Sequence, residues 1–249
     1  MSNTIALFVD QAGDRYANYL NILRSQVDVV MRRGPTSETM REEARGVADG
    51  AARSYAGFEQ GALNDVGIDV ANEAWVQART DLALDPAPIP EDYHTFIFES
   101  TAYAARLIAA QADRDVVAMA QHIRNNAIRV DMNTRAGASP SQAAAAIMLE
   151  DAHNPSFRFQ DRIGRNFKSS KHIRDTVRLT LRNVWLEVYM DAVFTHGHET
   201  VQITHPDPSY KWFGDEISLV SGRDLPTFYD IRDEVFHPSS EAGLTITKE

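Results

Sequence analysis

Helix breakers cut the first 155 residues into blocks, and this constrains the fold more than any other feature. The breaks fall at Gly34-Pro35, at Asp85-Pro86-Ala87-Pro88-Ile89-Pro90, at Pro140 and at Asn154-Pro155. Proline lacks the backbone donor a helix interior needs and drives the preceding residue out of the helical region. Between the breaks, apolar residues recur at helical rather than strand spacing.

In the first block, Tyr16, Leu20, Leu23, Val27, Val30 and Met31 predict a helix that stops at Gly34-Pro35. Thr36 and Ser37 are candidate N-caps for the next, with Glu38, Glu42 and Glu43 where the helix dipole favours negative charge. That block reaches Leu84 and carries Gly46, Gly50, Gly57, Gly61 and Gly67. Each costs about 1 kcal/mol relative to alanine inside a helix, so breaks or close helix contacts are expected there. Residues 85–90 form an extended linker. A second long helix is expected over residues 91–133, with Phe96, Tyr103, Leu107, Val117, Ile123, Ile128 and Val130 as its apolar side. Ser139, Pro140 and Gln142 then have the order of a capping box, opening a short helix from Ala143 to about Ala152.

The pattern changes near Ser156. Ser169 or Ser170 can cap a helix running to about Phe194, with Ile173, Val177, Leu181, Val184 and Val188 along one side. Beyond Gly197 the apolar runs are short and extended: Val201 to Thr204, Glu216 to Val220, and Leu244 to Ile246. Turn formers Pro206, Pro208, Gly214, Gly222 and Pro226 punctuate them. The expected class is α+β: a helical body over residues 1–155 and a small α+β domain over residues 156–249.

Composition narrows the function. Charged residues make up 24% and mean hydropathy is −0.35, as in an ordinary globular chain. No apolar run reaches the ~18 residues of a membrane-spanning helix, and residues 1–10 lack the basic start of a secretory signal. Without cysteine there is no disulfide, thiolate zinc site or cysteine nucleophile. The net charge of −10 argues against a surface that coats nucleic acid throughout. Yet residues 157–183 hold Arg158, Arg162, Arg165, Lys168, Lys171, Arg174, Arg178 and Arg182 against Asp161 and Asp175, a local excess of +6. At about 100° per residue, Lys171, Arg174, Arg178 and Arg182 share a stripe of roughly 80°. They are the candidate contacts for DNA phosphates or an acidic partner. A solvated face, or ion pairs with the acidic remainder of the chain, accounts for the same residues.

Landmarks recur in order along the last third: Asp161-Arg162-Ile163-Gly164-Arg165-Asn166-Phe167, Arg178-Leu179-Thr180-Leu181, and Gly197-His198-Glu199 before Val201-Gln202-Ile203-Thr204. Trp212-Phe213-Gly214, Ile217-Ser218-Leu219-Val220-Ser221-Gly222, Leu225-Pro226-Thr227-Phe228 and Phe236-His237-Pro238 complete the set. This order resembles the C-terminal domain of phage minor capsid (head-morphogenesis) proteins of the Mu F-like type. The resemblance implies a structural virion protein of the phage head, assembled in the host cytoplasm in multiple copies. Its implied partners are the portal or other capsid proteins and the packaged DNA; no membrane and no cofactor are implied. Family members often carry a Cys-x-x-Cys before the tryptophan and a cysteine and histidine after the His-Pro. Here Ser209, Tyr210 and Lys211, and then Ser239 to Ala242, occupy those regions. Only His205 and His237 remain, too few for a closed zinc site.

Other readings attach to the same segment. His196, His198, His205 and Asp207 could form a metal cluster, or be loop residues that pack and hydrogen-bond. Arg178 with Glu187 or Glu199 would suit an ADP-ribosyltransferase-like enzyme delivered with the virion, and a protein ejected with the genome is a third reading. No Glu-x-Glu pair, phosphate loop or nucleophile elbow accompanies them. Trp212, Phe213, Phe228 and Phe236 are the expected core of the C-terminal domain.

Overall fold

The structure is a computed structural model and describes residues 3–153, 159–160, 166–237 and 239–247. The expected boundary at 155/156, the motif at residues 161–165 and Pro238 lie outside the described residues. The described elements are α1 (Asn3–Arg33), α2 (Glu38–Asp81), α3 (Tyr93–Arg135), α4 (Pro140–His153), β1 (Phe159–Gln160), β2 (Asn166–Phe167), α5 (Ser169–Thr195), β3 (Thr200–Thr204), β4 (Glu216–Ser218), α6 (Phe228–Val235) and β5 (Gly243–Ile246). The described residues are mainly helical and a small three-stranded antiparallel sheet lies near the C-terminus, which is the expected α+β class.

Several helix ends follow from local chemistry. Gly34 closes α1 at φ +147°, a conformation that side chains oppose, and its N–H donates to the Val30 carbonyl at 3.0 Å. Ser37 caps α2, accepting the Met40 N–H at 3.4 Å. The Ser139 box closes in both directions: the Gln142 N–H donates to Ser139 Oγ at 3.3 Å, and the Ser139 N–H to Gln142 Oε1 at 3.2 Å. Ser169 departs from expectation, because its hydroxyl turns inward to Asp115 instead of capping α5. Helix α6 was not foreseen. Asp230 starts it by accepting both the Thr227 N–H (2.8 Å) and hydroxyl (2.7 Å).

The five glycines do not break α2, which is continuous. Only Gly67 sits at a close approach: a Cβ there would lie 2.8 Å from Thr101 Cγ2 and 3.0 Å from Ile97 Cγ2, whereas the other four face open space. Helix α3 corrects a second expectation. Its buried residues include Ile108, Val116, Met119, Ile123 and Val130. Leu107, Val117 and Ile128, expected on the same side, are 37%, 61% and 54% exposed.

Contacts divide the chain into two compact units, with α1, α2, α3 and α5 contributing to both. One unit comprises residues 12–59 and 105–173. Its core includes Tyr16, Leu23 and Met31 of α1, Met119 and Ile123 of α3, and Ile147 of α4. Strands β1 and β2 pair antiparallel within it. The other comprises residues 1–11, 60–104 and 174–249. There β3 is the central strand of the order β4-β3-β5, antiparallel to both neighbours. Val201 and Ile203 point to its buried face, as the period of two requires, and Ile217 and Leu244 are buried beside them in sequence register. Phe228 and Phe236 are core residues, but Phe213 is 44% exposed and Trp212 is half-buried, its indole N–H donating to Glu234. Expected as core, that pair instead borders solvent.

Candidate functional site

Helix α5 carries the residues singled out for partner contact, and the structure separates them. Lys171 is exposed. Arg174 and Arg178 have side chains 35% and 27% exposed; Arg174 lies 3.9 Å from Asp10 and Arg178 4.0 Å from Asp175. Arg182 is a correction. It is 5% exposed and is not part of any surface stripe.

The Arg182 guanidinium grips the chain ahead of β5. Nη1 donates to the His237 carbonyl at 2.9 Å and the Ser240 carbonyl at 2.8 Å; Nη2 donates to the Ala242 carbonyl at 2.5 Å and Ser240 Oγ at 3.4 Å. Its carbon lies 5.4 Å from the Phe236 ring centroid, within cation–π range. Burial lowers its pKa to about 10, still leaving it charged at neutral pH. A planar fork spans three carbonyls from two separate nitrogens, a fixed spread that the single nitrogen of an ammonium does not have. The chain needs this because Ser240 and Ala242 lie outside any helix or strand that would satisfy their carbonyls. Beside the clamp, Asn3, Glu73, Gln77, Trp185 and Glu241 help line a cleft of about 470 Å³.

A second cleft, about 480 Å³, is lined by Trp75, Tyr93, Phe96, Glu187, Asp191 and Thr195, among others. The Tyr93 hydroxyl donates to Asp191, and the Trp75 indole N–H to the Ala87 carbonyl at 3.0 Å. Burial raises the Glu187 pKa, while the Tyr229 hydroxyl donates to its carboxylate. Glu199, the other glutamate weighed with Arg178, pairs with Arg223.

In the other unit a buried polar cluster went unrecognised in the sequence. Asp115 is 5% exposed and accepts from Tyr16 (2.5 Å), Gln111 (3.1 Å) and Ser169 (3.1 Å). Burial nonetheless pushes its pKa up, the three hydrogen bonds opposing that shift. Tyr16, Tyr19 and Tyr55 gather their rings at 5.3–5.4 Å. Burial, reinforced by nearby acids, carries all three phenols well above the ordinary range. Glu59, fully buried, is held by Arg15 through two contacts, at 2.5 and 3.1 Å. A Tyr or Asp one helical turn from apolar neighbours gives no sequence signal of such pairing.

The histidines have separate occupations. His196 Nδ1 donates to the Ala192 carbonyl at 2.7 Å, and His205 stacks on Tyr210 with ring centroids 4.2 Å apart. Among the described residues no three His, Asp or Glu side chains gather to hold a metal ion. No helix is long and apolar enough to cross a membrane among those residues. No protein-family model, curated protein or solved structure matches the chain.

Proposed function

We propose that the chain is a structural minor head protein of a tailed phage, associated with the portal or inner capsid and acting in head assembly and the handling of packaged DNA. What carries the reading is the ordered series of landmarks from Arg178 to His237, resembling the Mu F-like minor capsid proteins. Its landmarks sit at positions with clear structural work: Leu181 in the core of α5, Val201 and Ile203 inside β3, and Phe236-His237 under the Arg182 clamp. In this reading Lys171, Arg174 and Arg178 face an acidic portal surface or DNA, and Arg182 does not.

The test is quantitative mass spectrometry of purified virions, which should contain the chain at a fixed ratio to the portal. Its absence from virions sinks the reading. NAD-dependent modification by the purified protein, lost in Arg178→Ala with the fold retained, would replace it with the enzyme. DNA contact has its own signature. Affinity for duplex DNA should fall with salt at a log–log slope of about −0.9 per phosphate engaged, and replacing Lys171, Arg174 and Arg178 with Gln should flatten it. If DNA binding is absent at low salt yet incorporation into virions is lost, the surface docks a capsid protein.

A further inference from the structure

Helix α3 has a second, outward row, and its residues are ordered as a match for their own reverse. At about 100° per residue, Leu107, Ala110, Arg114, Val117, Gln121, Asn125, Ile128 and Met132 fall in an arc of about 80°, opposite the buried residues of the helix. Val117, Ile128 and Met132 are 61%, 54% and 64% exposed, and Leu107 37%. The row advances in steps of three or four residues, with two successive steps of four between Val117 and Asn125, close to the spacing of a coiled-coil seam. Along one flank Arg106, Asp113, Arg124 and Asp131 follow within about 20° of one another, with charges alternating in sign.

We propose that this row is a docking surface for a second copy of the chain, with the two α3 helices antiparallel about a twofold axis near Val117. The register that sets Val117 against Ala118 of the second copy also sets Leu107 against Ile128 and Arg114 against Gln121. In that register Arg106 meets Asp131 of the second copy and Asp113 meets Arg124, each within about 3 Å of level along the axis. The symmetry doubles every pair. A parallel pairing about an axis along the helices places this flank on opposite sides of the seam, where these charges do not meet, so only the antiparallel orientation gains from them. The Arg114–Gln121 layers interrupt the apolar contacts on both sides of the axis, a device that fixes register at some cost in affinity. The row is about 38 Å long and covers about 400 Å² per copy. That is below the ~1,200 Å² total of a standard stable interface, so the pair is weak in dilute solution and forms where copies are concentrated.

The chain has no cysteine, which makes trapping clean. Single variants Val117→Cys, Leu107→Cys and Ile128→Cys are treated with a short bis-maleimide at about 100 µM protein, with Glu43→Cys on α2 as the control. Val117→Cys should form covalent dimer about tenfold faster than the control, as expected when neighbouring thiols reach millimolar effective concentration. Leu107→Cys and Ile128→Cys should each cross-link no faster than the control alone, yet cross-link to each other when mixed. Adding Arg124→Asp to Val117→Cys should slow trapping severalfold, and adding Asp113→Arg as well should restore it. Trapping of Leu107→Cys with itself would make the pairing parallel and overturn the proposal. So would Val117→Cys at the control rate, or a charge swap that fails to rescue while circular dichroism shows intact helices.

Discussion

Arg182→Met removes the fork that holds His237, Ser240 and Ala242 while keeping much of the side-chain volume. Three carbonyls lose a charged donor. Hydrogen bonds to a charged group contribute about 1.5–3 kcal/mol each, a gross loss of about 4–9 kcal/mol. Against this stands the removal of a buried charge. Burial lowers its pKa to about 10, equivalent to about 3 kcal/mol held against the charged form. The balance is a net destabilisation of about 3 kcal/mol, or about 6–12 °C in Tm for a chain of this size. Thermal unfolding followed by circular dichroism measures it. Hydrogen exchange should locate the loss in residues 240–247, next to the freed carbonyls. Arg182→Lys should fall between, because a single ammonium nitrogen does not reproduce the spread of donors over two guanidinium nitrogens. A Tm for Arg182→Met within about 1 °C of the parent, with unchanged exchange in β5, would refute the clamp as a source of stability.

Gly67→Ala should destabilise by about 1–3 kcal/mol, since its methyl meets the Thr101 and Ile97 side chains, whereas Gly61→Ala in open space should stabilise by up to about 1 kcal/mol; urea unfolding compares them. Tyr16, Tyr19, Tyr55, Tyr93 and Tyr189 have phenol pKa values raised in the fold. Their contribution is therefore full below the unfolded value of about 10 and is lost as pH rises beyond it. Spectrophotometric titration should show these phenols ionising together with alkaline unfolding, and early non-cooperative ionisation would contradict their burial. Asp115 is also raised, so the folded state binds its proton more tightly than the unfolded chain. The stability of the parent relative to Asp115→Asn should fall as pH rises above about 4; a flat difference would show that the cluster pays no charge-burial penalty.

What was legible in the sequence was mostly local chemistry. Ser37, Ser139 with Gln142, and Gly34 define helix ends through groups within a few residues, and each is found in its role. The three C-terminal strands were readable from apolar alternation bounded by turn formers, although β4 ends at Ser218 and not at Val220. Helix α6 had a legible signal in Thr227 followed three residues later by Asp230, but its eight residues are too short for periodicity to stand out. The α3 error had a different cause. Apolar residues lie on both of its faces, and a window that counts them cannot tell the packed row from the exposed one. Asp115 and Glu59 were invisible because Tyr16, Ser169 and Arg15 lie far away in sequence.

Arg182 shows why helical angle alone does not define the basic stripe. By helical angle it belongs with Lys171, Arg174 and Arg178, and nothing within α5 distinguishes it. The difference is made by His237, Ser240 and Ala242, which bring their carbonyls to its guanidinium from more than fifty positions away. This governs how a charge-removal experiment can be read. If Arg182 were replaced with the other three, weaker DNA or portal binding would follow from a loosened C-terminal fold as readily as from a lost contact. With Arg182 kept, the partly buried Arg174 and Arg178 and the exposed Lys171 can be neutralised at small expected cost, since partly exposed ion pairs contribute about 0–1 kcal/mol. A binding loss in that triple variant, at unchanged Tm, then reports on the surface itself. A large fall in Tm would instead reveal Arg174 and Arg178 as structural partners of Asp10 and Asp175, leaving Lys171 alone as a candidate for partner contact.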